Sequence, residues 1–356
     1  MVGPDPAIAR VRGGVRDLLE QLLGGVLAEG GLVLVACSGG PDSVALASQA
    51  AFLAPRLGIR AGAVVVDHGL RPDSANVAEQ AARTCTELGL QPVLVRRVTH
   101  LDRATETAAR EARYAEIEAA RAETGAIGVL LGHTEDDQAE TVLLAAGRGS
   151  GTRSLSAMAC VNGTLWRPLL DVRRADTHAT CEVLGLHTDT DPSNASDGPW
   201  RRADGGPVPR AAVRDRVLVA LADALGRDPI PALARTARLA RADADLLDHL
   251  AEQAWARCAV VTDEPEARSA VVLDVEAMAA EHEALRTRVL RRAALAAGAP
   301  AVALLATHVR ALEAHVTDWR GQGEVALPGG IAGRRDCGRL VLAHRAQPAG
   351  RAWPTA

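Results

Sequence analysis

Leu32-Val33-Leu34-Val35-Ala36-Cys37-Ser38-Gly39-Gly40-Pro41-Asp42-Ser43 decides the fold. Leu32 to Ala36 is a short, continuous, Val-rich apolar run behind a Gly flank. Its length and composition favour a buried parallel strand over a piece of helix. A loop of small residues follows, and Val44-Ala45-Leu46-Ala47 carries on as a helix. Gly39 and Gly40 have no Cβ, so backbone N–H groups there can approach a polyanion, and a helix N-terminus adds partial positive charge at the same place. Ser38 and Ser43 bring hydroxyl donors. Asp42 would repel a bare phosphate, so a bridging Mg2+ is the natural complement.

Working outward, further apolar runs at 61–66, 92–95 and 129–131 read as strands, and helical spacing covers 10–28, 44–53, 76–88 and 105–124. That alternation predicts a Rossmann-like, doubly wound α/β sheet, in which polar residues at the carboxyl ends of strands face the ligand. One such group is Asp67-His68-Gly69-Leu70-Arg71. Asp67 and His68 read as site residues and Asp73 as the cap of the next helix. The other is Gly132-His133-Thr134-Glu135-Asp136-Asp137-Gln138-Ala139-Glu140-Thr141. Thr134 or Glu135 suits the helix start, and Asp137 and Glu140, three apart, share a helical face. An acidic pair there can hold an amine or a metal. Gly147-Arg148-Gly149-Ser150-Gly151 suits phosphate or RNA contact, or is simply a mobile turn. Residues 195–209 read as a loop. Arg210 and Arg214 are four apart at the start of the next helix, as a paired basic face or a solvated one.

After about residue 216 the strand-and-helix alternation stops. Residues 232–257, 283–297 and 301–320 are Ala-, Leu- and Arg-rich with helical periodicity, and 324–342 reads as strands joined at Pro328-Gly329-Gly330. The expected division is therefore a catalytic domain over 1–216 and, over 217–356, a mostly helical domain with a short terminal β-hairpin. The chain has 356 residues, 48% hydrophobic and 24% charged, and a net charge of −4, so an RNA site has to be a local patch rather than a bulk property. All 40 basic residues are arginine; there is no lysine, which rules out a Gly-Lys-Ser/Thr phosphate loop anywhere. The six cysteines are scattered without a Cys-x-x-Cys pair, against a zinc ribbon, an iron–sulfur cluster or a disulfide framework. No apolar run approaches a membrane span, and a cytoplasmic protein without membrane contact is expected.

The loop resembles the Ser-Gly-Gly-x-Asp-Ser pyrophosphate loop (PP-loop) of the ATP pyrophosphatases, which split ATP between the α and β phosphates. With Val66 to Arg71, Gly132 to Thr141, Arg148 to Gly151, Arg167-Pro168-Leu169-Leu170 and Asp191-Pro192-Ser193-Asn194, in that order and spacing, the chain resembles the tRNA(Ile)-lysidine synthase family. The resemblance implies ligation of L-lysine to the wobble cytidine of a tRNA(Ile) with a CAU anticodon. ATP would first adenylate the C2 oxygen, and the lysine amine would then displace AMP. It also implies roles. Ser38, Gly39, Gly40, Pro41, Asp42 and Ser43 would hold ATP, with Asp42 near Mg2+ and Asp67 and His133 near the nucleotide. Asp137 and Glu140 would bind lysine and act in catalysis with Asp42 and Arg210, and Arg148 and Arg214 would touch tRNA or phosphate. The family pattern has Asn where this chain has Ala211. Monomer and homodimer both stay open. Two other readings compete. A tRNA thiolase on the same loop would need paired cysteines or an iron–sulfur site, and a silent RNA-binding protein would not need Asp42, Asp137 and Glu140 intact.

Overall fold

The computed structural model describes residues 3–67, 69, 73–98, 106–149, 151–189, 197–198, 205–260 and 270–345. The expectations placed on His68, Leu70, Arg71, Ser150, the Asp191 to Asn194 run and most of the 195–209 loop lie outside these residues. By its contacts the chain divides into two compact units, Met1–Arg241 and Ala242–Ala356.

The first unit begins with α1 (Pro6–Leu22). This helix starts earlier than its apolar spacing predicts, because the Asp5 carboxylate accepts the Ala7 N–H at 2.8 Å and Pro6 is preset for the first turn. It stops at Leu22, where Leu23 turns extended ahead of Gly24. Next come β1 (Leu32–Ala36), α2 (Pro41–Leu53), β2 (Arg60–Asp67), α3 (Ser74–Glu87), β3 (Val93–Arg97), α4 (Glu106–Thr124), β4 (Gly128–Leu131) and α5 (Glu135–Ala146). A short α6 (Thr152–Leu155), the hairpin β5 (Val161–Asn162) and β6 (Leu165–Trp166), and α7 (Arg174–Val183) follow. One helical run then holds α8 (Pro209–Ala212), a π turn (Val213–Val217) and α9 (Leu218–Leu225), and α10 (Ile230–Cys258) comes after it.

The six strands lie in the order β3-β2-β1-β4-β6-β5, all parallel except the β5 edge. β1 is central, and its continuous apolar run is explained by the pleat. Val33 and Val35 face a core built with α1 and α2, while Leu32 and Leu34 face a second core with Ile117 and Ala120 of α4. The chain leaves β1 for β2 and β3 on one side and returns to β4 on the other. The crevice at that reversal, outside the carboxyl ends of β1 and β4, is where such sheets bind ligands.

In the second unit, β7 (Val271–Asp274), α11 (Val275–Ala280), α12 (Glu283–Ala296), α13 (Ala306–Thr317), β8 (Val325–Leu327), β9 (Ile331–Asp336) and β10 (Arg339–His344) surround one core. Met278, Leu290, Leu312, Ile331 and Leu340 are fully buried in it. Pro328 to Gly330 does join two strands, but the expected terminal hairpin is part of an antiparallel sheet of order β7-β10-β9-β8. Only pairing across more than sixty residues, Leu340 with Leu273, reveals the fourth strand. The contact boundary also falls later than the change of texture at 216. Val213, Leu218, Ile230 and Leu233 pack on Ala139, Leu143 and Leu144 of α5, which keeps this stretch with the first unit.

Gly128 on β4 faces the fully buried ring of Trp166, and a Cβ there would lie 2.4 Å from the ring. Gly128→Ala is expected to destabilise the first unit by about 1–3 kcal/mol, the usual cost of overpacking. Urea unfolding followed by tryptophan fluorescence would show it as a lowered midpoint.

Candidate active site

The β1–β4 pairing brings the two dense motifs together. Ala36 lies beside Leu131 in register, so the loop after β1 and the segment after β4 emerge side by side. They touch: a Cβ on Gly132 would stand 3.1 Å from the backbone of Asp42 and Ser43. The loop is stapled from within by Ser43. Its buried hydroxyl donates to Gly40 O at 2.9 Å and accepts the Ser38 N–H at 3.1 Å. Gly39 has φ +86°, a left-handed conformation that glycine adopts without cost. Pro41 opens α2, with Asp42 in its first turn.

Beneath the loop lies a compact set of charges. Asp137 Oδ2 accepts both the N–H (2.8 Å) and the hydroxyl (2.9 Å) of Thr134, which ties down the start of α5. Its Oδ1 accepts Arg174 Nη2 at 3.0 Å. Asp137 is thus a helix-start acceptor on one oxygen and a charge partner on the other. Glu140, with 0% of its surface exposed, meets three guanidinium groups. Arg174 Nη2 is 3.1 Å from Oε1, Arg214 Nε is 2.7 Å from Oε1, and Arg210 Nε is 3.3 Å from Oε2. Arg210 and Arg214 therefore turn inward onto the acidic face of α5 and are not a solvated basic stripe. Arg210 also donates to Thr141 Oγ1 at 2.9 Å. Arg214 sits in the π turn, an insertion common at functional sites. Asp42 accepts the Thr177 hydroxyl, and its Oδ2 is 3.7 Å from Arg174 Nε. Burial raises the Asp42 carboxyl above its usual range, although Thr177 and Arg174 oppose this. Burial also works to raise Asp137, but Arg174 and Arg210, with the Thr134 N–H, hold it below the usual range.

A second, basic group stands around His133. Burial pushes this imidazole down to about 3, and Arg167, Arg210 and Arg110 push the same way against the pull of Asp137. Its Nδ1 is buried without a hydrogen-bond partner, as is Nε of the buried Arg167. Burial would raise the Tyr114 phenol, but Arg110, Arg113 and Arg167 bring it below its ordinary value. Arg113 is itself lowered by burial, with Arg110 and Arg210 as like-charged neighbours. Guanidinium groups gathered around a neutral imidazole and a phenol form a receptor for an anion such as phosphate.

The remaining expected residues fall elsewhere. Asp67, at the end of β2, accepts the Gly69 N–H at 2.9 Å and lies 3.5 Å from Arg97. Asp73 stands at the N-cap position of α3, but its side chain makes no capping hydrogen bond to the helix; it lines a cavity of about 380 Å3 on the α3 side of the loop. Gly39, Asn76, Gln80, His187 and Asp189 also line that cavity, which excludes the carboxylates of α5. Arg148 is exposed on the turn after α5 and donates to Leu144 O. Asp136 serves architecture: its Oδ2 accepts the Arg174 N–H at 2.9 Å and Arg173 Nε at 3.1 Å, joining α5 to α7. Arg174 and Thr177 were not foreseen. The available signal was the Arg173-Arg174 pair behind Pro168-Leu169-Leu170, with Thr177 three residues on along the same helical face.

The donor set suits Mg2+ beside bound phosphate. Mg2+ takes one or two protein carboxylates and fills its remaining positions with phosphate oxygens and water. Asp42 offers one carboxylate at the loop, and among the described residues no group of three or more His, Cys, Asp or Glu forms a cage. The six cysteines are all free; Cys37, Cys85, Cys181 and Cys258 are buried.

Comparison with known proteins agrees with this layout. The PP-loop domain family matches residues 15–203, and the family described as the TilS substrate binding domain matches residues 273–341. The tRNA(Ile)-lysidine synthase of Thermobifida fusca is 47% identical over 343 residues, 96% of this chain and 99% of that protein. The tRNA(Ile)-lysidine synthase of Streptomyces coelicolor is 46% identical over 367 residues, again 96% and 99%. Among solved structures, the U34-tRNA thiolase NcsA from Methanococcus maripaludis, with its 4Fe-4S cluster, superposes with a TM-score of 0.52 at 18% identity, over 66% of this chain and 79% of that one. At that identity the likeness is one of fold.

Because His133 stays neutral in the folded protein far below the ordinary histidine range, the unfolded chain alone takes up its proton once the pH drops below about 6.5. Stability is therefore lost as the pH falls from about 6.5 towards 3. Thermal unfolding at pH 7.5 and 5 should show a smaller acid-induced drop in Tm for His133→Asn than for the unaltered protein.

Proposed function

The chain belongs to the tRNA(Ile)-lysidine synthase family, and from that premise we propose how its own residues divide the work. The reaction is the ATP-dependent ligation of L-lysine to C2 of the wobble cytidine of tRNA(Ile) with a CAU anticodon, through an adenylated tRNA, with release of pyrophosphate and AMP. The observation that carries this reading is near-full-length identity of 45–47% to relatives of that name, on a chain whose phosphate loop and acidic helix meet at one crevice.

The loop from Ser38 to Ser43 binds the ATP phosphates, and the cavity bordered by Gly39, Asn76 and Gln80 receives the nucleoside. Asp42 is the carboxylate for Mg2+, which when bound offsets the negative charge developing on the leaving pyrophosphate. Arg110, Arg113 and Arg167, around His133, hold the phosphates of the nucleotide and of the wobble position. The cytidine C2 oxygen would then approach the α-phosphate from the α5 side. Adenylation makes that oxygen a good leaving group. Asp137 and Glu140 hold the incoming lysine, which carries two ammonium groups and one carboxylate and so is suited to an acidic pair. Arg210 and Arg214 hold Glu140 in place; Arg148, exposed beyond α5, meets the tRNA backbone. The substrate tRNA also engages the second unit, and the work takes place in the cytoplasm. Among the described residues no helix is long and apolar enough to cross a membrane.

Incubating the protein with a CAU-anticodon tRNA(Ile) transcript, ATP, Mg2+ and radiolabelled lysine should label the tRNA; folded protein that leaves it unlabelled would refute the reading. Asp137→Asn removes one charged acceptor, an interaction worth about 1.5–3 kcal/mol, so the lysine KM should rise roughly 10- to 100-fold while the ATP KM stays within about twofold. An unchanged lysine KM would take Asp137 out of that role.

A further inference from the structure

The acidic pair assigned to lysine is already filled. Glu140 Oε1 accepts Arg174 Nη1 (3.2 Å), Arg174 Nη2 (3.1 Å) and Arg214 Nε (2.7 Å), while Oε2 accepts Arg214 Nη2 at 3.1 Å. Asp137 divides its oxygens between Thr134 and Arg174. Three carboxylates, Asp42, Asp137 and Glu140, face three guanidinium groups, Arg174, Arg210 and Arg214. An arriving ammonium finds no unmatched negative charge unless one guanidinium leaves. Leaving also needs a replacement, because an unpaired buried carboxylate is costly.

Arg174 is the group placed to exchange. Arg210 and Arg214 reach Glu140 from the α8–α9 side, whereas Arg174 alone of the three touches both Asp137 and Asp42. It spans the gap between the phosphate loop and the acidic face. Its backbone is pinned, since its N–H donates to Asp136, which also holds Arg173. Its side chain can therefore swing while its anchor stays fixed. A triphosphate settling beside Asp42 would offer the guanidinium a second set of anionic oxygens, and guanidinium binds phosphate with paired donors.

We propose that Arg174 is an internal placeholder for the substrate cation: it occupies Asp137 and Glu140 in the nucleotide-free protein and turns to the ATP phosphates when they arrive, so that lysine binds after ATP. This rests on the assignment of Asp137 and Glu140 to lysine. The chemistry also explains why the placeholder is an arginine. Any amine held against these acids would sit where the attacking nucleophile belongs, whereas a guanidinium stays protonated and does not attack. Burial alone would weaken its proton affinity, but Asp137, Glu140 and Asp42 raise it above the ordinary arginine value. No lysine occurs anywhere in the chain to compete with the substrate.

Equilibrium dialysis of radiolabelled L-lysine against the full chain tests this, with and without Mg2+ and an α,β-methylene analogue of ATP that cannot be cleaved. The analogue should tighten lysine binding by about tenfold or more, within the usual range of coupling between sites. In Arg174→Ala lysine should bind tightly without nucleotide, and the coupling should fall to within about twofold. Arg174→Lys, which keeps a cation in place, should retain weak nucleotide-free binding. Equal lysine affinity with and without the analogue in the unaltered protein overturns the placeholder, whether or not Arg174→Ala folds. So does coupling that survives in Arg174→Ala. If Asp137→Asn raises the lysine KM while this coupling is absent, only the placeholder fails; if that KM does not move, the lysine site itself is wrong.

Discussion

The close approach of two backbones at the end of the central strand pair governs the rest of the structure. β1 and β4 run parallel with Ala36 beside Leu131, and Gly132 lies against the backbone of Asp42 and Ser43. A Cβ at position 132 would stand 3.1 Å from that backbone, which would have to give by a few tenths of an ångström. With hydrogen there, the start of α2 and the start of α5 converge on one crevice. The loop after β1 and the acidic start of α5, far apart in sequence, therefore meet at one crevice. The parallel sheet supplies the stiffness, because β1 is buried on both faces between two cores.

Within that crevice, the protein's own charges balance one another. Glu140 is wholly buried, yet it is ringed by Arg174, Arg210 and Arg214. Next to it the balance changes, with Arg110 and Arg167 near a neutral His133 and Arg113 beside Tyr114. An acidic lobe suited to a cationic amino acid thus adjoins a basic lobe suited to phosphate. This polarity suits an enzyme that brings a cationic amino acid up to a nucleotide. A net charge of −4 hides this division, because the charges of each sign are sorted locally.

Much of this was legible in the residues. The strand at 32–36, the loop behind it and the helical placement of Asp137 and Glu140 are local matters, set by apolar runs, glycines and three-residue spacing. Resemblance to the PP-loop enzymes extended that reading to chemistry, and 47% identity to a relative over nearly the whole chain agrees with it. Less legible were the early start of α1, which depends on the cap at Asp5, and the four-stranded sheet of the second unit. The first is a side-chain hydrogen bond that apolar periodicity does not register. The second rests on pairing between distant strands.

The sequence by itself determined the four parallel strands at 32–36, 61–66, 92–95 and 129–131 with the helices between them, that a phosphate-loop motif follows the first strand, and that two acids share a face behind the fourth. These follow from interactions within a few residues, which the order of side chains dictates directly. Only the tertiary structure decided what those acids touch. Arg174 and Arg214 lie 34 and 74 residues beyond Glu140, on helices that packing alone carries to it. A pattern of residues can place a carboxylate on a helix, but the charge it meets there depends on how the elements fold back over one another.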